Sequence, residues 1–581
     1  MKRTQGSCQI NEEKYCNDKK QHSRSHLRRR RKIPLGGIVC ASLCAIFVLA
    51  FTSCTGLFDF LNTDSNNCIF KLSMDKEYYI VTGVKDKDVT EITIPDTYRG
   101  KPVKEITEGA LSGCSKLIDL TLPFVGLGEG SEISGMAGVF GVGRDLYGTY
   151  YSVGYRDYQI PSALKKVTVT GGEIGSRAFK GCRNLTRIVV PNGITSIGDY
   201  AFKECENLQE IEIPDTVTSI ANGAFEDCKS LESIKIPDGV TSISNGVFEG
   251  CVSLNSIEIP DGVTCIEGWA FAHCESLKEI EIPNSVTAIG QHAFNSCKTL
   301  KTVTIPDGVT VIELSTFENC YSLKSVMIPD GVTAIGGGAF DGCGELRGIR
   351  LPDGLTSIGY SAFKDCHALK EIRIPDGVNS IERWAFIGAK NLANVLLPNG
   401  LTSIGSMAFM GCIGLENIQL PNTLTSIGDN AFTMSGLTSI EIPNSVTSIG
   451  QNAFESCKGL SSVIIPSSVT SIGRSAFGYC SGLTRVVIYA RITALGDQFQ
   501  GCENLTSIII PDSITSISYS AFEFCDKLTN IYYEGTKSDW ANISGSSNSK
   551  LNSMTYCYSE TAPTEDGNYW HYSPKGNIVV W

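Results

Sequence analysis

A motif of 23 residues repeats along most of this chain of 581 residues, and it constrains the fold more than any other feature. Successive prolines stand 23 residues apart from Pro191 to Pro421, and the motif continues with slightly altered spacing to Pro511. The consensus is L-x-x-I-x-I-P-x-G-V-T-S-I-G-x-x-A-F-x-x-C. Its phenylalanine occurs in 16 copies, from Phe179 to Phe522. Such a period predicts a stack of similar units rather than a row of separate globular domains.

One copy, LESIKIPDGVTSISNGVFEGC at residues 231–251, predicts the structure of a unit. Ile234 and Ile236 alternate with Lys235, which is typical of a strand with one buried face. Proline ends this strand because it has no N–H for the ladder, and Pro-Asp-Gly predicts a turn in which Gly239 supplies a positive φ. V-T-S-I-G predicts a second short extended piece. A-F-x-x-C is compatible with a single helical or 3₁₀ turn.

Stacking is expected because one unit alone has nothing against which to bury its apolar side. Sixteen stacked units form a continuous core of Leu, Ile, Val, Phe and Cys. Each large side chain contributes about 1.5–3 kcal/mol when it is fully buried. The predicted fold class is therefore a repeat solenoid, with parallel strands on one face, short extended or helical turns on the other, and ~23 residues per repeat.

Fifteen of the 23 cysteines share one column of the repeat. Equivalent residues in such a stack lie about 4.8 Å apart with parallel side chains, which aim poorly for the torsion near 90° of a disulfide. Ala389 and Ser435 occupy the same column, so the position favours a small buried group. We expect packed thiols rather than a disulfide framework. A metal column is the alternative, but no His or Asp companion recurs in each copy.

The first 54 residues predict export and attachment to a membrane. Residues 1–32 carry a net charge of +8, while the whole chain carries -12. Residues 33–51 contain no charge and are long enough to cross a hydrocarbon core of about 30 Å, and the cationic flank predicts that the chain after residue 55 is exported. The alternatives are a retained signal-anchor helix, a cleaved signal peptide and a lipoprotein signal with lipid on Cys54. Phe51-Thr52-Ser53-Cys54 resembles a bacterial lipobox, apart from Phe51.

The string I-P-x-G-V-T-S-I-G-x-x-A-F-x-x-C-x-x-L resembles the BspA-like leucine-rich repeat, a class found in surface proteins of bacteria and of some parasitic protists. The resemblance covers about 360 residues. IYYEGTKSDWANI at 531–543 resembles the unit that often closes such arrays, and LKKVTVTGG at 164–172 resembles a strand that often restarts them. The resemblance implies an exported, ligand-binding solenoid of the leucine-rich-repeat type. Members of the class are associated with adhesion to host matrix proteins and to other cells.

The predicted organisation has seven segments. They are a basic cytoplasmic or cleaved N-region (1–32), a membrane segment or lipoprotein signal (33–54), an N-terminal cap (55–90), a degenerate first repeat (91–123), a Gly/Tyr-rich insertion (124–160), the leucine-rich-repeat solenoid (161–533) and a C-terminal cap (534–581). The C-terminal cap contains Trp540, Trp570 and Trp581, aromatic residues that suit the covering of the apolar side of the last repeat. A cell-wall-binding module is the alternative for this segment.

The insertion is expected to project as a loop from one face of the solenoid. Long insertions without a repeat signature are often functional, and tyrosine is a common contact residue in recognition loops. Tyr150 and Tyr151 are therefore candidate ligand contacts. The alternative is a local mini-core that plugs the array.

The residue between the two inward strand residues faces outward, and these residues form a strand stripe that runs along the stack. Its candidate ligand-binding residues form an acidic zone around one lysine, a basic pair and an apolar zone: Glu212, Lys235, Glu258, Glu281; Arg350, Arg373; Ile464, Val487, Ile509. Contiguous exposed apolar side chains tend to mark interaction sites. The alternatives are an ordinary solvated face for the charges, and a C-terminal cap that folds back over the apolar zone.

Several function classes are disfavoured. The acidic body argues against a nucleic-acid partner. We predict no enzyme, because the six histidines are isolated and an open sheet face offers no pocket to shift the pKa of a pair such as Glu258 and Glu281. We predict no cofactor and no metal, since a single aspartate after each proline is typical of a turn.

We therefore expect a membrane-tethered extracellular protein at the cell surface. It would mediate adhesion, or recognise a protein or glycan ligand on host or neighbouring cells. Two alternatives remain open: a structural spacer, and a secreted host-interaction effector without its own matrix ligand.

Overall fold

The 23-residue copies form the coils of a parallel β-solenoid. The computed structural model describes residues 66–126, 135–140, 149–153, 156–544, 549–564 and 566–581. Equivalent residues stack in register from coil to coil, so that Ile234 pairs with Ile257 and Lys235 with Glu258. The predicted fold class is confirmed.

The first parallel ladder is built by the L-x-x-I-x-I-P segments, and its outward side is called the strand face below. Its strands are Glu91–Thr93, Asp119–Leu122, Lys166–Val169, Arg187–Val189, Glu210–Glu212, Ser233–Lys235, Ser256–Glu258, Thr302–Thr304, Ser325–Met327, Glu371–Arg373, Asn394–Leu396, Ser462–Ile465, Arg485–Ile488, Ser507–Ile510 and Asn530–Tyr533. Exposed, buried and exposed residues follow one another in Ser233–Lys235, as the alternation predicts. An isolated bridge joins Glu258 to Glu281 where no longer strand forms.

The second parallel ladder is built by the V-T-S-I-G segments, which confirms the predicted second extended piece. Its two-residue strands are Ser196–Ile197, Ser219–Ile220, Ser242–Ile243, Cys265–Ile266, Ala288–Ile289, Val311–Ile312, Ala334–Ile335, Ser357–Ile358, Ser380–Ile381, Ser403–Ile404, Ser426–Ile427, Ser448–Ile449, Ser471–Ile472, Ala494–Leu495 and Ser516–Ile517. The second residue of each strand points into the core, and Ile243 is 2% exposed.

The turn after each strand differs from the prediction in one respect. The Val240 N–H donates to the Pro237 carbonyl oxygen at 3.0 Å and closes the turn. Gly239 lies outside the left-handed region, so the predicted positive φ is wrong at this glycine, whereas Gly193 in the equivalent turn of an earlier copy has a φ of 93 and confirms it there. A turn closed in this way is compatible with the type I geometry, which needs no positive φ. The left-handed residues lie instead two positions before and after the phenylalanine, as at Gly246 (φ 59) and Gly250 (φ 73).

The A-F-x-x-C segment forms hydrogen-bonded turns that also connect the coils. The Cys251 N–H donates to the Phe248 carbonyl oxygen at 3.1 Å, within one coil. The Phe248 N–H donates to the Ala270 carbonyl oxygen of the next coil at 2.9 Å. This corner therefore links the coils even where the two ladders are interrupted, since each ladder is divided into several separate sheets.

Two columns of side chains fill the core at this corner. Phenylalanine rings from Phe179 to Phe499 stack in fourteen successive pairs, with centroids 5.1 to 5.7 Å apart. Beside them, the thiol of Cys251 donates to the Phe225 carbonyl oxygen of the preceding coil at 3.2 Å, and twelve other cysteines of the column repeat this bond. The prediction of packed thiols is confirmed for these thirteen residues.

The insertion packs into the array where the structure describes it. It contains the helix Gly135–Phe140 and an antiparallel hairpin of Thr149–Val153 with Arg156–Ile160. The Met136 N–H donates to the Ala178 carbonyl oxygen at 2.7 Å, and Val139 is fully buried. The expectation of a projecting loop is wrong for this helix, because its apolar residues complete the core between two coils. Tyr150 and Tyr151 belong to the hairpin, and their side chains lie outside the described part of the chain.

The two ends of the solenoid carry additional elements. At the N-terminal end a separate four-stranded sheet contains the strands Cys68–Leu72, Tyr79–Val84, Thr97–Tyr98 and Lys101–Ile106. At the C-terminal end lie helices Lys537–Asn542 and Ser549–Met554 and strands Thr555–Tyr558, Tyr569–Tyr572 and Ile578–Val580. Within the described ranges, no helix is long and apolar enough to cross a bilayer. The predicted membrane segment at 33–54, with Cys54, lies outside these ranges.

Candidate functional site

The acidic zone of the strand stripe is exposed. Glu212, Glu258 and Glu281 all face solvent, and none makes an ion pair with another described residue. Lys235 lies among them, and its ammonium group donates to Asp215 at 3.1 Å. This hydrogen bond raises the pKa of Lys235 above its ordinary value. The zone therefore keeps an excess of negative charge, because its one lysine is already bound to a turn aspartate.

The basic pair of the stripe is exposed but bound in the same way. Arg350 contacts Asp330 at 2.8 Å, and Arg373 contacts Asp353 at 2.7 Å. In each case the partner lies 20 residues earlier, in the Pro-Asp-Gly turn of the preceding coil. The hydrogen bond from Arg373 holds the pKa of Asp353 below its ordinary value. The turn aspartates thus anchor the cations of the stripe, a function that the turn motif alone did not indicate.

The apolar zone of the stripe is mostly covered: at Val487 and Ile509 the expected exposure is wrong, and the alternative of a cover from the C-terminal segment is borne out. These residues are 4% and 2% exposed. They form a small cluster with Tyr532 and Trp570 on the strand face. The strands Thr555–Tyr558 and Tyr569–Tyr572 continue the first ladder beyond Asn530–Tyr533. The Trp570 ring packs against this cluster, and its indole N–H donates to the Tyr533 carbonyl oxygen at 3.0 Å. Ile464, one coil earlier, remains 56% exposed and marks the edge of the cover.

Other large side chains of the strand stripe are exposed one at a time. Met327 is 68% exposed and Leu396 is 64% exposed. They lie three coils apart, with Arg350 and Arg373 between them. The exposed apolar area is therefore divided by charged side chains rather than gathered in one patch.

Two shallow depressions lie on the N-terminal part of the strand face. Arg187, Glu210, Glu212, Asp215 and Lys235 are among the residues that line the first. The second is lined by Ser233, Lys235, Ser256, Glu258, Glu279 and Glu281, with buried core isoleucines beneath them. Among the described residues, no group of three His, Cys, Asp or Glu side chains is arranged to hold a metal ion. Both depressions are open to solvent and are lined mainly by charged and polar side chains together with core isoleucines.

A second charged column lies beside the strand stripe, at the position that directly follows the conserved leucine. In five consecutive coils it is basic, and we call these residues the cationic ladder: Lys278, Lys301, Lys324, Arg347 and Lys370. All five side chains are exposed, and within the described chain none of them makes an ion pair. Sequence reasoning missed this ladder because it followed one outward column. Aligning the residue after each conserved leucine would have found it.

The repeats match a known family over most of the array. The family model described as a BspA-type leucine-rich repeat region matches residues 172–301, 266–393, 385–499 and 496–562, which together make up more than half of the chain. The chain belongs to the BspA-type leucine-rich repeat family. Proteins of this family are generally surface-associated, and their solenoid fold is typically non-enzymatic.

Solved structures similar to this BspA-type protein include bacterial leucine-rich repeat proteins. One from Bacteroides ovatus shares 25% identity, with 81% of this chain and 98% of that chain covered and a TM-score of 0.47. A leucine-rich cell surface protein from Faecalibacterium prausnitzii shares 25% identity over 82% and 96% of the two chains, with a TM-score of 0.28. The family assignment rests on the repeat match, because both TM-scores lie below 0.5. No curated protein matches the sequence.

Proposed function

We propose that this BspA-type leucine-rich repeat protein recognises a protein or glycan ligand through its strand face and thereby mediates adhesion at the cell surface. One observation carries the proposal. The inward columns hold almost the same residue in every coil, whereas the outward residues change from coil to coil and stay exposed from Glu212 to Ile464. A face that varies on a constant scaffold is what a binding surface requires, since packing does not determine its residues.

The scaffold suits recognition because it is continuous and pre-organised. Sixteen coils spaced about 4.8 Å apart extend the array over roughly 75–80 Å. At the phenylalanine corner each coil is bonded to the next from Phe179 to Phe499, and the two ladders add further bonds in separate stretches. A ligand that binds such a surface orders little of the protein, and this lowers the entropy cost of association.

Attachment to the membrane through residues 33–54 is part of the proposal, and the surface association of the family supports it. Mass spectrometry of the mature protein distinguishes the three alternatives for this segment. A chain that begins at Met1 indicates a retained helix, and a chain that begins at lipid-modified Cys54 indicates a lipoprotein. An unmodified N-terminus between residues 55 and 66 would contradict the membrane attachment.

The binding proposal is tested with full-length protein, purified in detergent and applied to intact host cells and to immobilised matrix proteins. We expect Glu258→Gln with Glu281→Gln, and separately Arg350→Gln with Arg373→Gln, to change the bound amount. Glu313→Gln with Glu503→Gln is the matched control, because both glutamates are exposed away from the strand face. Equal binding by all variants, or no binding by the unaltered protein, would contradict recognition by this face.

The spacer alternative makes the opposite prediction for length. Deletion of the three coils 277–345 removes three whole repeats and should leave the neighbouring coils able to stack, because every coil offers the same inward residues. A spacer tolerates this change. A recognition surface loses Glu281, Met327 and three residues of the cationic ladder, so we expect binding to fall.

A further inference from the structure

The cationic ladder is an unneutralised row of positive charge. Its residues follow the conserved leucine in five consecutive coils, so the stack places each of them beside the next. The Lys324 N–H donates to the Lys301 carbonyl oxygen at 2.8 Å, and the Lys301 N–H donates to the Lys278 carbonyl oxygen at 3.2 Å. Four coil spacings of about 4.8 Å place five cations along roughly 19 Å.

Stacked like charges oppose folding, so a purely structural column would be expected to alternate or to pair. Neighbouring columns on the same array do pair, as Lys298 does with Glu275 at 2.7 Å and Arg373 with Asp353 at 2.7 Å. The described residues offer no such partner to the ladder. The turn aspartates lie six residues further along each coil, at the opposite end of the strand and up to about 20 Å away.

Acidic residues close to the ladder do not neutralise it either. Glu279, Glu345 and Glu371 neighbour it in sequence, and none of them makes an ion pair with a ladder residue within the described ranges. All three carboxylates and all five cations are solvated. The ladder therefore presents five accessible cations in single file at the edge of an otherwise mixed surface.

We propose that the cationic ladder binds a linear sulfated polysaccharide, and this inference rests on the proposed recognition by the strand face. Charge complementarity selects a polyanion, since the evenly spaced cations release counterions on binding a chain of regularly spaced anions. Four of the five cations are lysines, whose ammonium groups bind sulfate as point charges without the planar requirement of arginine. Thr302 and Ser325, directly beside the ladder, add hydroxyl groups that hydrogen bond to sugar hydroxyls.

A single-stranded nucleic acid is the competing polyanion, and the surface disfavours it. Proteins that hold single strands combine a basic groove with successive aromatic rings on which bases stack. The two outward strand columns beside the ladder contain no aromatic residue over these five coils, and the rings of Tyr321 and His367 on the other side are two coils apart rather than successive. The negative charge of the body outside this row also repels an extended phosphate chain.

The test measures binding of heparin, as the sulfated polysaccharide, to full-length protein in detergent by biosensor at 150 mM NaCl. We expect Lys301→Gln, Lys324→Gln and Arg347→Gln together to weaken binding roughly 10-fold or more. The slope of log Kd against log salt concentration should become shallower by about 2, since three fewer counterions are released at ~0.7 per contact. Desulfated heparin of the same length should not bind.

The matched control removes the same charges from elsewhere. Lys390→Gln, Lys458→Gln and Arg491→Gln neutralise two lysines and one arginine that are exposed and make no ion pair with a described residue. An equal loss in this control, or binding of a single-stranded oligonucleotide as tight as that of heparin, would overturn the assignment. Absence of heparin binding would also overturn it. If cell or matrix binding then persists and still depends on Glu258 and Glu281, the proposed function survives without the ladder.

Discussion

The inward and outward side chains of the same coils differ in how much the residue type varies from coil to coil. Phe317 is fully buried between Phe294 and Phe340, with ring centroids 5.5 and 5.6 Å away. Met327, ten residues later on the strand face, is 68% exposed, and its equivalents in the adjacent coils are Thr304 and Arg350. Packing therefore determines the inward residues and leaves the outward residues free to vary, so a change on the outward side should leave the stability of the fold intact.

Alkaline pH should reduce the stability of the inward side most strongly, because it acts on the whole inward cysteine column at once. Burial raises the pKa of Cys457 to about 11 and that of Cys320 to about 12. Thiols of the unfolded chain ionise near their ordinary value of about 8.5. Above that pH the unfolded chain binds fewer protons than the folded protein, so stability falls. Each such thiol should lower the free energy of unfolding by up to about 1.4 kcal/mol per pH unit until the folded pKa is reached.

Urea unfolding at several pH values between 7.5 and 10.5 checks this expectation. Stability should be nearly constant below pH 8 and decline steeply above pH 9. Cys320→Ala provides the internal control, because Ala389 already occupies the same column three coils later. In this variant the slope of the free energy of unfolding against pH should correspond to one proton fewer, and the contributions of the other thiols should remain. A free energy of unfolding that stays flat from pH 8 to pH 10 would refute the contribution of the thiols.

Phe317→Ala should have the next largest effect. Removing a fully buried ring from the middle of the stack creates a cavity that the coils on either side cannot fill, and we expect a loss of about 3–5 kcal/mol. Met327→Ala should change stability by less than about 0.5 kcal/mol, since its side chain faces solvent. The measurement is urea unfolding of both variants under identical conditions. Similar losses in the two variants would show that the strand face supports the fold as well.

The inward half of the molecule was predictable because its physical causes are local and recur in every copy. The positions of Ile234, Phe248 and Cys251 follow from alternation, turn chemistry and the period alone. The positive φ was misplaced at Gly239, because composition suggests a glycine function that the actual turn does not use. In other coils, residues as large as Trp269 (φ 54) and His292 (φ 57) occupy the left-handed positions, so residue type gave no signal there.

The outward half was less predictable because exposure depends on elements distant in sequence. Val487 and Ile509 occupy outward strand positions, yet Trp570 and Tyr532 cover them. The repeat pattern carries no information on the C-terminal strands, which lie outside the repeat and supply Trp570. The ion pairs of Arg350 and Arg373 arise similarly from stacking, which brings a turn aspartate beside a residue 20 positions later. Stacking also creates the cationic ladder, which appears when each column is aligned separately.

Arg373→Gln should have the smallest effect on stability, but it should still change the pKa of one carboxyl group, that of Asp353. The Arg373–Asp353 pair is solvent-exposed on both sides, so its attraction is screened and the urea midpoint at pH 7 should not move. The hydrogen bond from Arg373 lowers the pKa of Asp353, and its removal should therefore raise that pKa toward the ordinary carboxyl value. Carbon-detected NMR titration of the Asp353 carboxyl group between pH 2 and pH 6 measures the change.

Lys370→Gln removes an exposed cation from the same coil that has no ion-pair partner among the described residues, and it should leave the titration of Asp353 unaltered. A fall in the urea midpoint comparable to that of Phe317→Ala would mean that the charged stripe stabilises the solenoid, and the separation between the two sides of the coil would then fail.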